Sequence, residues 1–336
     1  MRSGSANERR ARAVQFVAPY LVELADVAVP EPRPGDLIVR AEFSGISGGT
    51  EMLAYRGELD SSIRKDATLG VLSGSFEYPF TYGYSAVGTV EASLSDLGEG
   101  ERVFAFHPHQ SRFIVPATDA VRLGEFDPRA ATLFPLVETA LQITLDATIR
   151  YGEVVAVLGL GPVGILTAIL LTRSGASVLT SDPKDSRREV ARACGLETVT
   201  PDGLPDAVHA ATGERGADVI VEATGNPYAL GESLGLLAME GVAIVASWYG
   251  AKPVTLPLGA DFHRRRLELR SSQVSTVGGR AVRWDRRRRI ETTRVLLEEL
   301  PLSVLASHTF PLERVRDAYA ALDREDDVVH AALSYS

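Results

Sequence analysis

The sequence lacks what a disulfide-bonded scaffold or a cysteine-rich zinc site needs. Its 336 residues contain one cysteine, Cys194, which excludes an intramolecular disulfide and any zinc site built from several cysteines. Cationic residues are also in deficit, with 35 Lys and Arg against 44 Asp and Glu, and a net charge of −9. A nucleic-acid-binding domain is usually basic, so this balance argues against a nucleic-acid partner.

Long apolar runs are scarce as well. Met1–Arg12 is polar and basic, and no apolar run of the kind found in a secretory signal follows it, so we expect a cytoplasmic protein. Val154–Thr172 has 19 residues without a charge, close to the ~20 that cross a bilayer. Three glycines and a proline interrupt its first half, which favours a strand, a tight turn and a buried helix. The sequence therefore predicts no membrane association.

The chain length suggests roughly two domains. The first third reads as β-rich, because Gly35–Phe43 alternates apolar and polar residues and short strand candidates follow it. These candidates are Gly88–Ala92, Glu101–Phe106 and Ser111–Val115. After the helical pattern of Ala130–Ala147, apolar strands alternate with helices, which predicts a parallel sheet with right-handed crossovers.

The elements predicted in this alternating section and in the tail are given by their residues. The strands are Glu153–Leu160, Ala176–Ser181, Glu197–Thr200, Ala217–Glu222, Val242–Ser247 and Leu267–Val274. The helices are Pro162–Arg173, Asp185–Cys194, Pro205–Ala211, Tyr228–Met239, Ala281–Leu300 and Leu312–Leu322. A final strand, Val328–Ser334, is predicted to return to the first domain. The arginines Arg286–Arg289 read most simply as a solvated helix face in an arginine-rich protein.

A glycine motif, Gly159-Leu-Gly161-Pro162-Val163-Gly164, follows a predicted strand and opens a predicted helix. This context is the one that a dinucleotide-binding turn requires. The first glycine permits the tight turn, the second lets the pyrophosphate approach, and the third allows close helix–strand packing. We expect a nicotinamide dinucleotide there, with contacts also from Thr224 and Ser247.

The choice between NAD and NADP depends on the end of the next strand. Asp182 lies 23 residues after Gly159, where a carboxylate accepts hydrogen bonds from the adenine ribose and repels a 2′-phosphate. NAD is therefore favoured. Lys184, Arg187 and Arg188 follow closely and could pair with that phosphate, or could form a solvated helix face. NADP stays possible.

Together these segments resemble the medium-chain dehydrogenase/reductase superfamily over nearly the whole chain. The matching stretches are Val157–Gly164, Gly100–Val103, Ala217–Gly225 and Val328–Ser334. The resemblance implies an α/β fold, with a GroES-like β-rich catalytic domain and an inserted Rossmann domain with a doubly wound parallel sheet. It places the catalytic domain at residues 1–123 plus 276–336 and the Rossmann domain at 124–275. It also implies a homodimer, since dimers that pair through the last Rossmann strand are common in the superfamily.

The departures from the zinc-dependent members concern the metal ligands. Where those members have a Cys, a His-Glu pair and a further Cys or Glu, this sequence has Ser47, Tyr84-Ser85 and Phe134. The short connection His107–Ser111 replaces their four-cysteine lobe. The resemblance therefore implies a protein without catalytic zinc. The resemblance extends to a zinc-lacking subgroup of the superfamily. This subgroup is labelled threonine- or sorbitol-dehydrogenase-like and is related to bacteriochlorophyllide dehydrogenases. The segments that carry this closer resemblance are Ser44–Glu51, Tyr82–Gly88, His107–Arg112 and Arg264–Val274.

Without zinc, a side chain must take the alcohol proton. The catalytic candidates are Tyr84, His109 and Glu51, in segments expected to line the cleft. Each has a structural alternative: Tyr84 could fill the vacant metal position, His109 could cap a shortened loop, and Glu51 could be a solvated loop carboxylate. We expect substrate contacts from Thr50, His107, Gln110 and Glu138, although Glu138 could instead begin a helix face.

The sequence therefore predicts a zinc-independent NAD(P)-dependent dehydrogenase. Its substrate would be a secondary alcohol, or the corresponding ketone, on a polar small molecule such as a polyol, a sugar or a heterocycle. Two alternatives stay open at this point. One is an NADPH-dependent enoyl or quinone reductase, and the other is a nicotinamide-binding protein without catalytic activity.

Overall fold

The computed structural model describes residues 9–66 and 68–335, so most of the segment inspected for a targeting signal lies outside the described residues. The chain divides into two compact units. The first unit comprises Met1–Pro135 and Ala306–Ser336, and the second comprises Leu136–Leu305. These bounds differ from the sequence-based divisions at 123/124 and 275/276. Phe134, which the sequence-based division assigns to the Rossmann domain, lies in the first unit and stacks on Phe104. Arg289, which that division assigns to the catalytic domain, lies in the second unit and bonds to Glu138.

The regular elements are numbered along the chain. The strands are β1 Arg10–Ala18, β2 Leu21–Ala28, β3 Asp36–Ile46, β4 Phe80–Thr81, β5 Ala86–Ser93, β6 Arg102–Ala105, β7 Arg112–Pro116, β8 Val121–Arg122, β9 Val154–Leu158, β10 Ser177–Ser181, β11 Thr198–Val199, β12 Ala217–Glu222, β13 Leu237–Val245, β14 Glu268–Ser271, β15 His308–Pro311 and β16 Ala331–Ser334. The α-helices are α1 Thr50–Arg56, α2 Pro128–Ala131, α3 Phe134–Ala147, α4 Pro162–Arg173, α5 Asp185–Ala193, α6 Leu204–Thr212, α7 Pro227–Ser233, α8 Arg286–Glu299, α9 Leu302–Leu305 and α10 Val315–Arg324.

The first unit is β-rich, as predicted. Its larger sheet has the order β15-β16-β3-β5-β6-β8, with β7 also paired to β3, and a smaller sheet has the order β2-β1-β4. The C-terminal strand β16 pairs antiparallel with β3, so that Ala331 faces Ile46. This pairing confirms that the tail returns to the first domain. The core beneath these sheets includes Phe16, Met52 and Tyr319.

The second unit carries a parallel sheet in the order β11-β10-β9-β12-β13-β14. This is the order of a doubly wound Rossmann sheet. Successive strands are added on one side of the first strand, β9, and then on its other side. Every residue of β9 is buried, as expected for a central parallel strand that is covered on both faces. The predicted strand–turn–helix reading of Val154–Thr172 is confirmed, and in the described part of the chain no helix is long and apolar enough to cross a bilayer.

The predicted helix Tyr228–Met239 is wrong in its second half. Helix α7 ends at Ser233, a short 3₁₀ turn covers Leu234–Leu236, and β13 begins at Leu237. Leu237 pairs with Ala217 of β12 and is fully buried. Pairing with the neighbouring strand therefore overrides the local helical spacing.

Candidate active site

The glycine turn of the second unit has the geometry that its sequence predicts. Gly159 has φ +92°, and a Cβ there would lie 2.7 Å from the carbonyl oxygen of Ala223. A Cβ on Gly164 would overlap the carbonyl oxygen of Gly159, whereas a Cβ on Gly161 would meet nothing within 4 Å. The space over Gly161 is thus open, and the N-terminus of α4 begins at the next residue, Pro162. A helix N-terminus beside an open glycine backbone suits a pyrophosphate.

This geometry separates the roles of two glycines. We expect Gly161→Val to fold, with a thermal midpoint within about 2 °C of the wild type, but to lose detectable NADH binding, because the side chain enters the open space. In contrast, Gly164→Val overpacks the turn and should lower the free energy of unfolding by about 1–3 kcal/mol or more. Thermal unfolding and NADH fluorescence titration of both variants distinguish these outcomes. Normal NADH binding by Gly161→Val would contradict the assignment of the pyrophosphate site.

Asp182 lies at the end of β10, where the sequence predicts it to contact the ribose. Its Oδ2 accepts a hydrogen bond from the amide of Leu160 (2.8 Å), and its Oδ1 accepts one from the amide of Lys184 (2.8 Å). The side chain of Arg188 donates to the carbonyl oxygen of Asp182 and to Asp185. Asp182 is therefore fixed against the glycine turn, and Arg187 lies close by on α5.

A buried carboxylate that the sequence analysis did not single out organises the loop after β12. Glu222 accepts hydrogen bonds from the amides of Thr224 (2.7 Å) and Gly225 (3.2 Å) and from the hydroxyl of Tyr249 (2.6 Å). The hydroxyl of Ser247 accepts from the same Gly225 amide at 2.9 Å. The structure thus brings Thr224 and Ser247 together, since Glu222 binds Thr224 and shares the Gly225 amide with Ser247. The signal in the sequence was a carboxylate directly after the apolar run Val219–Val221, at the carboxyl end of the strand.

The first unit brings three hydroxyl groups together, those of Ser47, Thr50 and Tyr84, which we call the hydroxyl cluster. The Tyr84 side chain is half-buried, and the side chains of Ser47 and Thr50 lie close enough to its hydroxyl to lower its pKa against the effect of burial. Burial, with a contribution from the charge of Glu51, raises the pKa of Tyr84 to about 12. The phenol therefore stays neutral at physiological pH and acts as a hydrogen-bond donor rather than as a proton acceptor.

Glu51 anchors this cluster from the first turn of α1. It is fully buried, so the alternative of a solvated loop carboxylate is wrong. Its Oε1 accepts from the amide of Ser47 (2.9 Å), and its Oε2 accepts from Tyr319 Oη (2.7 Å) and from His109 Nε2 (2.8 Å). The carboxylate thereby fixes the backbone that carries the Ser47 hydroxyl.

His109 lies deep in the same unit. Its Nε2 contacts Glu51, its Nδ1 lies 2.7 Å from Ser44 Oγ, and Ser44 Oγ lies 2.8 Å from the hydroxyl of Tyr335. The ring is fully buried, and Gly83 packs against it so closely that a Cβ there would lie 2.7 Å from Nε2. Both ring nitrogens are thus engaged within the unit, which suits His109 to support Glu51.

His107 differs from His109 in that, among the described residues, only one of its ring nitrogens has a hydrogen-bond partner. Its Nδ1 lies 3.0 Å from the carbonyl oxygen of Pro108, and because a carbonyl can only accept, Nδ1 carries the proton and Nε2 does not. Burial lowers the pKa of His107 to about 4, and the ring stacks on Phe113. Gln110 is engaged in the same connection, where its amide donates to the carbonyl oxygen of Arg112 (2.7 Å).

Two buried histidines of this unit make its stability depend on pH. Burial lowers the pKa values of His107 and His330 from 6.5 to about 4. Between pH 4 and pH 6.5 the unfolded chain therefore binds more protons than the folded chain. The free energy of unfolding falls as the pH is lowered through this range, by about 3 kcal/mol for each histidine. Urea denaturation at several pH values should show this loss, and His330→Phe should reduce it. The exposed-site control His209→Gln should not change it, and an unchanged acid slope in His330→Phe would contradict the assignment.

Glu138, expected to contact the substrate, lies in a buried ion pair of the second unit. Its Oε1 accepts from Arg289 Nε at 2.9 Å, and Arg289 also donates to Gln142 and to the carbonyl oxygen of Val274. Arg289 is buried as well. The interpretation of Arg286–Arg289 as a solvated face is therefore wrong at Arg289, because α8 turns this guanidinium toward α3.

The donor groups at the positions compared with zinc ligands do not suit zinc. Ser47, Tyr84 and Ser85 offer neutral hydroxyls, whereas zinc in proteins takes thiolate, imidazole or carboxylate ligands. Ser85 is moreover buried and donates to the carbonyl oxygen of Thr132 at 2.6 Å. Among residues 9–66 and 68–335, no group of three or more His, Cys, Asp or Glu side chains is arranged to hold a metal ion.

Comparison with known proteins gives consistent matches. Residues 162–285 match a family model described as zinc-binding dehydrogenase. The chain is 26% identical to 2-desacetyl-2-hydroxyethyl bacteriochlorophyllide A dehydrogenase of Cereibacter sphaeroides, over 97% of this chain and 98% of that protein. It is 28% identical to D-guloside 3-dehydrogenase of Escherichia coli, over 82% and 84% of the two chains. The structure of 2R,3R-butanediol dehydrogenase from Bacillus subtilis superposes with a TM-score of 0.79, covering 96% and 99% of the chains at 16% identity.

The chain has the fold of the medium-chain alcohol dehydrogenases. The predicted α/β fold class, with a β-rich unit and a Rossmann unit, is thereby confirmed. The family model and the relatives are those of dehydrogenases, which supports an oxidoreductase of this kind.

Proposed function

We propose that the protein is a zinc-independent, NAD-dependent dehydrogenase acting on a secondary alcohol, or on the matching ketone, of a polar small molecule. The observation that carries the proposal is the hydroxyl cluster of Ser47, Thr50 and Tyr84, in which Ser47 and Tyr84 stand at positions where zinc-dependent relatives would need metal ligands. The names of two relatives support the substrate class, since one refers to a hydroxyethyl group and the other to a sugar derivative. A polyol, a sugar or a heterocycle-borne alcohol is the substrate class we propose.

The residues of the second unit fit a nicotinamide dinucleotide. Gly161 leaves room for the pyrophosphate at the N-terminus of α4, and Asp182 offers further acceptor sites to the adenine ribose. We expect additional contacts from Pro162, Val163 and Thr224. When bound, the nicotinamide supplies the hydride chemistry of the reaction.

The residues of the first unit supply the hydrogen bonds and the proton acceptor. Because the phenol of Tyr84 is neutral, it donates to the substrate oxygen and stabilises negative charge that develops there. Ser47 and Thr50 orient the phenol. His107 is neutral above about pH 5, and its unprotonated Nε2 is the acceptor that we propose for the alcohol proton.

A paired fluorescence titration with NADH and NADPH tests the cofactor part of this function. Tighter binding of NADH is expected, because Asp182 repels a 2′-phosphate. Tighter binding of NADPH would contradict the NAD assignment and would favour an enoyl or quinone reductase. Failure to bind either cofactor would contradict the dehydrogenase function altogether. The homodimer and the absence of a nucleic-acid partner stay predictions.

A further inference from the structure

Glu222 carries a buried charge that the function proposed above does not use. Its side chain is fully buried, and in the described part of the chain its hydrogen-bond partners are Thr224, Gly225 and Tyr249, all uncharged. The backbone amides can only donate. The Thr224 hydroxyl accepts from the amide of Asn226 and directs its own proton to Glu222 at 2.5 Å. Such a set of donors stabilises an ionised carboxylate without neutralising its charge.

The sheet topology places this charge in one half of the dinucleotide site. Glu222 pairs with Leu158 of β9 and with Val245 of β13, at the edge of the sheet where the glycine turn begins. The next residue, Ala223, donates its amide to the carbonyl oxygen of Leu158 at 2.8 Å. In a sheet of this order the adenine half lies toward β10 and the other half lies over β12 and β13. Glu222 therefore belongs to the nicotinamide half.

We infer that Glu222 is a specificity residue that favours the oxidised over the reduced cofactor. This inference rests on the proposed function, since it requires a nicotinamide dinucleotide at the site. The ring of NAD⁺ is cationic and the ring of NADH is neutral, so a fixed buried carboxylate attracts only the oxidised form. Thr224 and Tyr249 hold the charge in place. The same preference weakens NADH relative to NAD⁺ and favours its release after an alcohol has been oxidised.

Isothermal titration of the full-length protein with NAD⁺ and with NADH tests the inference. In Glu222→Gln, the ratio of the NAD⁺ Kd to the NADH Kd should rise about tenfold, the size of effect expected for a charge pair within a protein. Asp218→Asn is the matched control, because Asp218 lies near the opposite end of β12, where it pairs with Arg215. Its ratio should equal that of the wild type. An equal loss of affinity for both cofactors in Glu222→Gln would show that Glu222 only shapes the loop, and would overturn the inference.

A second variant keeps the inference testable if Glu222→Gln does not fold. Tyr249→Phe removes one hydrogen-bond donor to Glu222 but leaves the charge of Glu222 in place. The ratio of the NAD⁺ Kd to the NADH Kd should therefore fall about two- to threefold, opposite to its rise in Glu222→Gln. An unchanged ratio in this variant would contradict the inference. If the wild-type protein binds neither cofactor, the proposed function itself fails, and that result is distinct from both of these.

Discussion

Replacing Tyr84 with phenylalanine is expected to lower kcat about 100-fold, the usual contribution of a preorganised hydrogen-bond donor to a developing negative charge, while NADH affinity stays within about twofold. The variant keeps the aromatic ring and removes only the hydroxyl that contacts Ser47 and Thr50. Since a donor to the developing charge acts mainly in the transition state, the loss should fall on kcat rather than on KM. Steady-state kinetics with the best substrate of a panel of polyols and sugar alcohols measures the effect.

Tyr82→Phe is the matched control for this prediction. Tyr82 lies two residues earlier and packs against Tyr84 with ring centroids 6.0 Å apart, so the same chemical change is made in the same surroundings. Its activity should stay within about threefold of the wild type, as expected for a residue outside the hydroxyl cluster. Full activity of Tyr84→Phe would instead favour the alternative in which Tyr84 only fills the vacant metal position.

Replacing Glu51 with methionine is expected to lower the free energy of unfolding by about 4 kcal/mol, because three buried donors lose their acceptor at once. These donors are the Ser47 amide, the Tyr319 hydroxyl and His109 Nε2. Activity should fall as well, since the backbone that carries Ser47 is no longer held. Urea denaturation followed by circular dichroism measures the change in stability.

A partly exposed carboxylate of the same unit provides the control for Glu51. Glu91 pairs with Arg112 and Arg40 near the surface, so Glu91→Gln should change the free energy of unfolding by less than about 1 kcal/mol. If Glu51→Met is as stable as Glu91→Gln, the carboxylate does not anchor the hydroxyl cluster. The supporting role of His109 would then lose its basis too.

The Rossmann unit could be predicted in detail because its signals are local. The glycine turn, the following helix and Asp182 occupy one short stretch, and strand–helix alternation by itself predicts a parallel sheet.

The hairpin of β1 and β2 was not predicted. Its turn runs through Tyr20, a non-glycine residue with φ +62°, so the usual glycine or asparagine signal is missing.

The site in the first unit could be predicted only as a set of candidates. Glu51 and His109 were identified as chemically capable, but their contact joins residues 58 positions apart, and Tyr319 lies 268 positions from Glu51. Such pairings come from the tertiary fold and leave no periodic pattern in the sequence. Tyr84 illustrates the same limit, because the role that we propose for it as a donor depends on burial and on the nearby charge of Glu51, which sequence spacing does not reveal.

The most direct test of the central claim is the rate of NADH formation from NAD⁺ and a panel of polyols and sugar alcohols, measured before and after exhaustive chelation. Metal analysis of the same sample shows whether zinc is present. The proposed zinc-independent mechanism predicts turnover that chelation leaves unchanged, in protein without stoichiometric zinc, because hydroxyl groups and an imidazole handle the substrate proton. Activity that chelation abolishes and added zinc restores would contradict it.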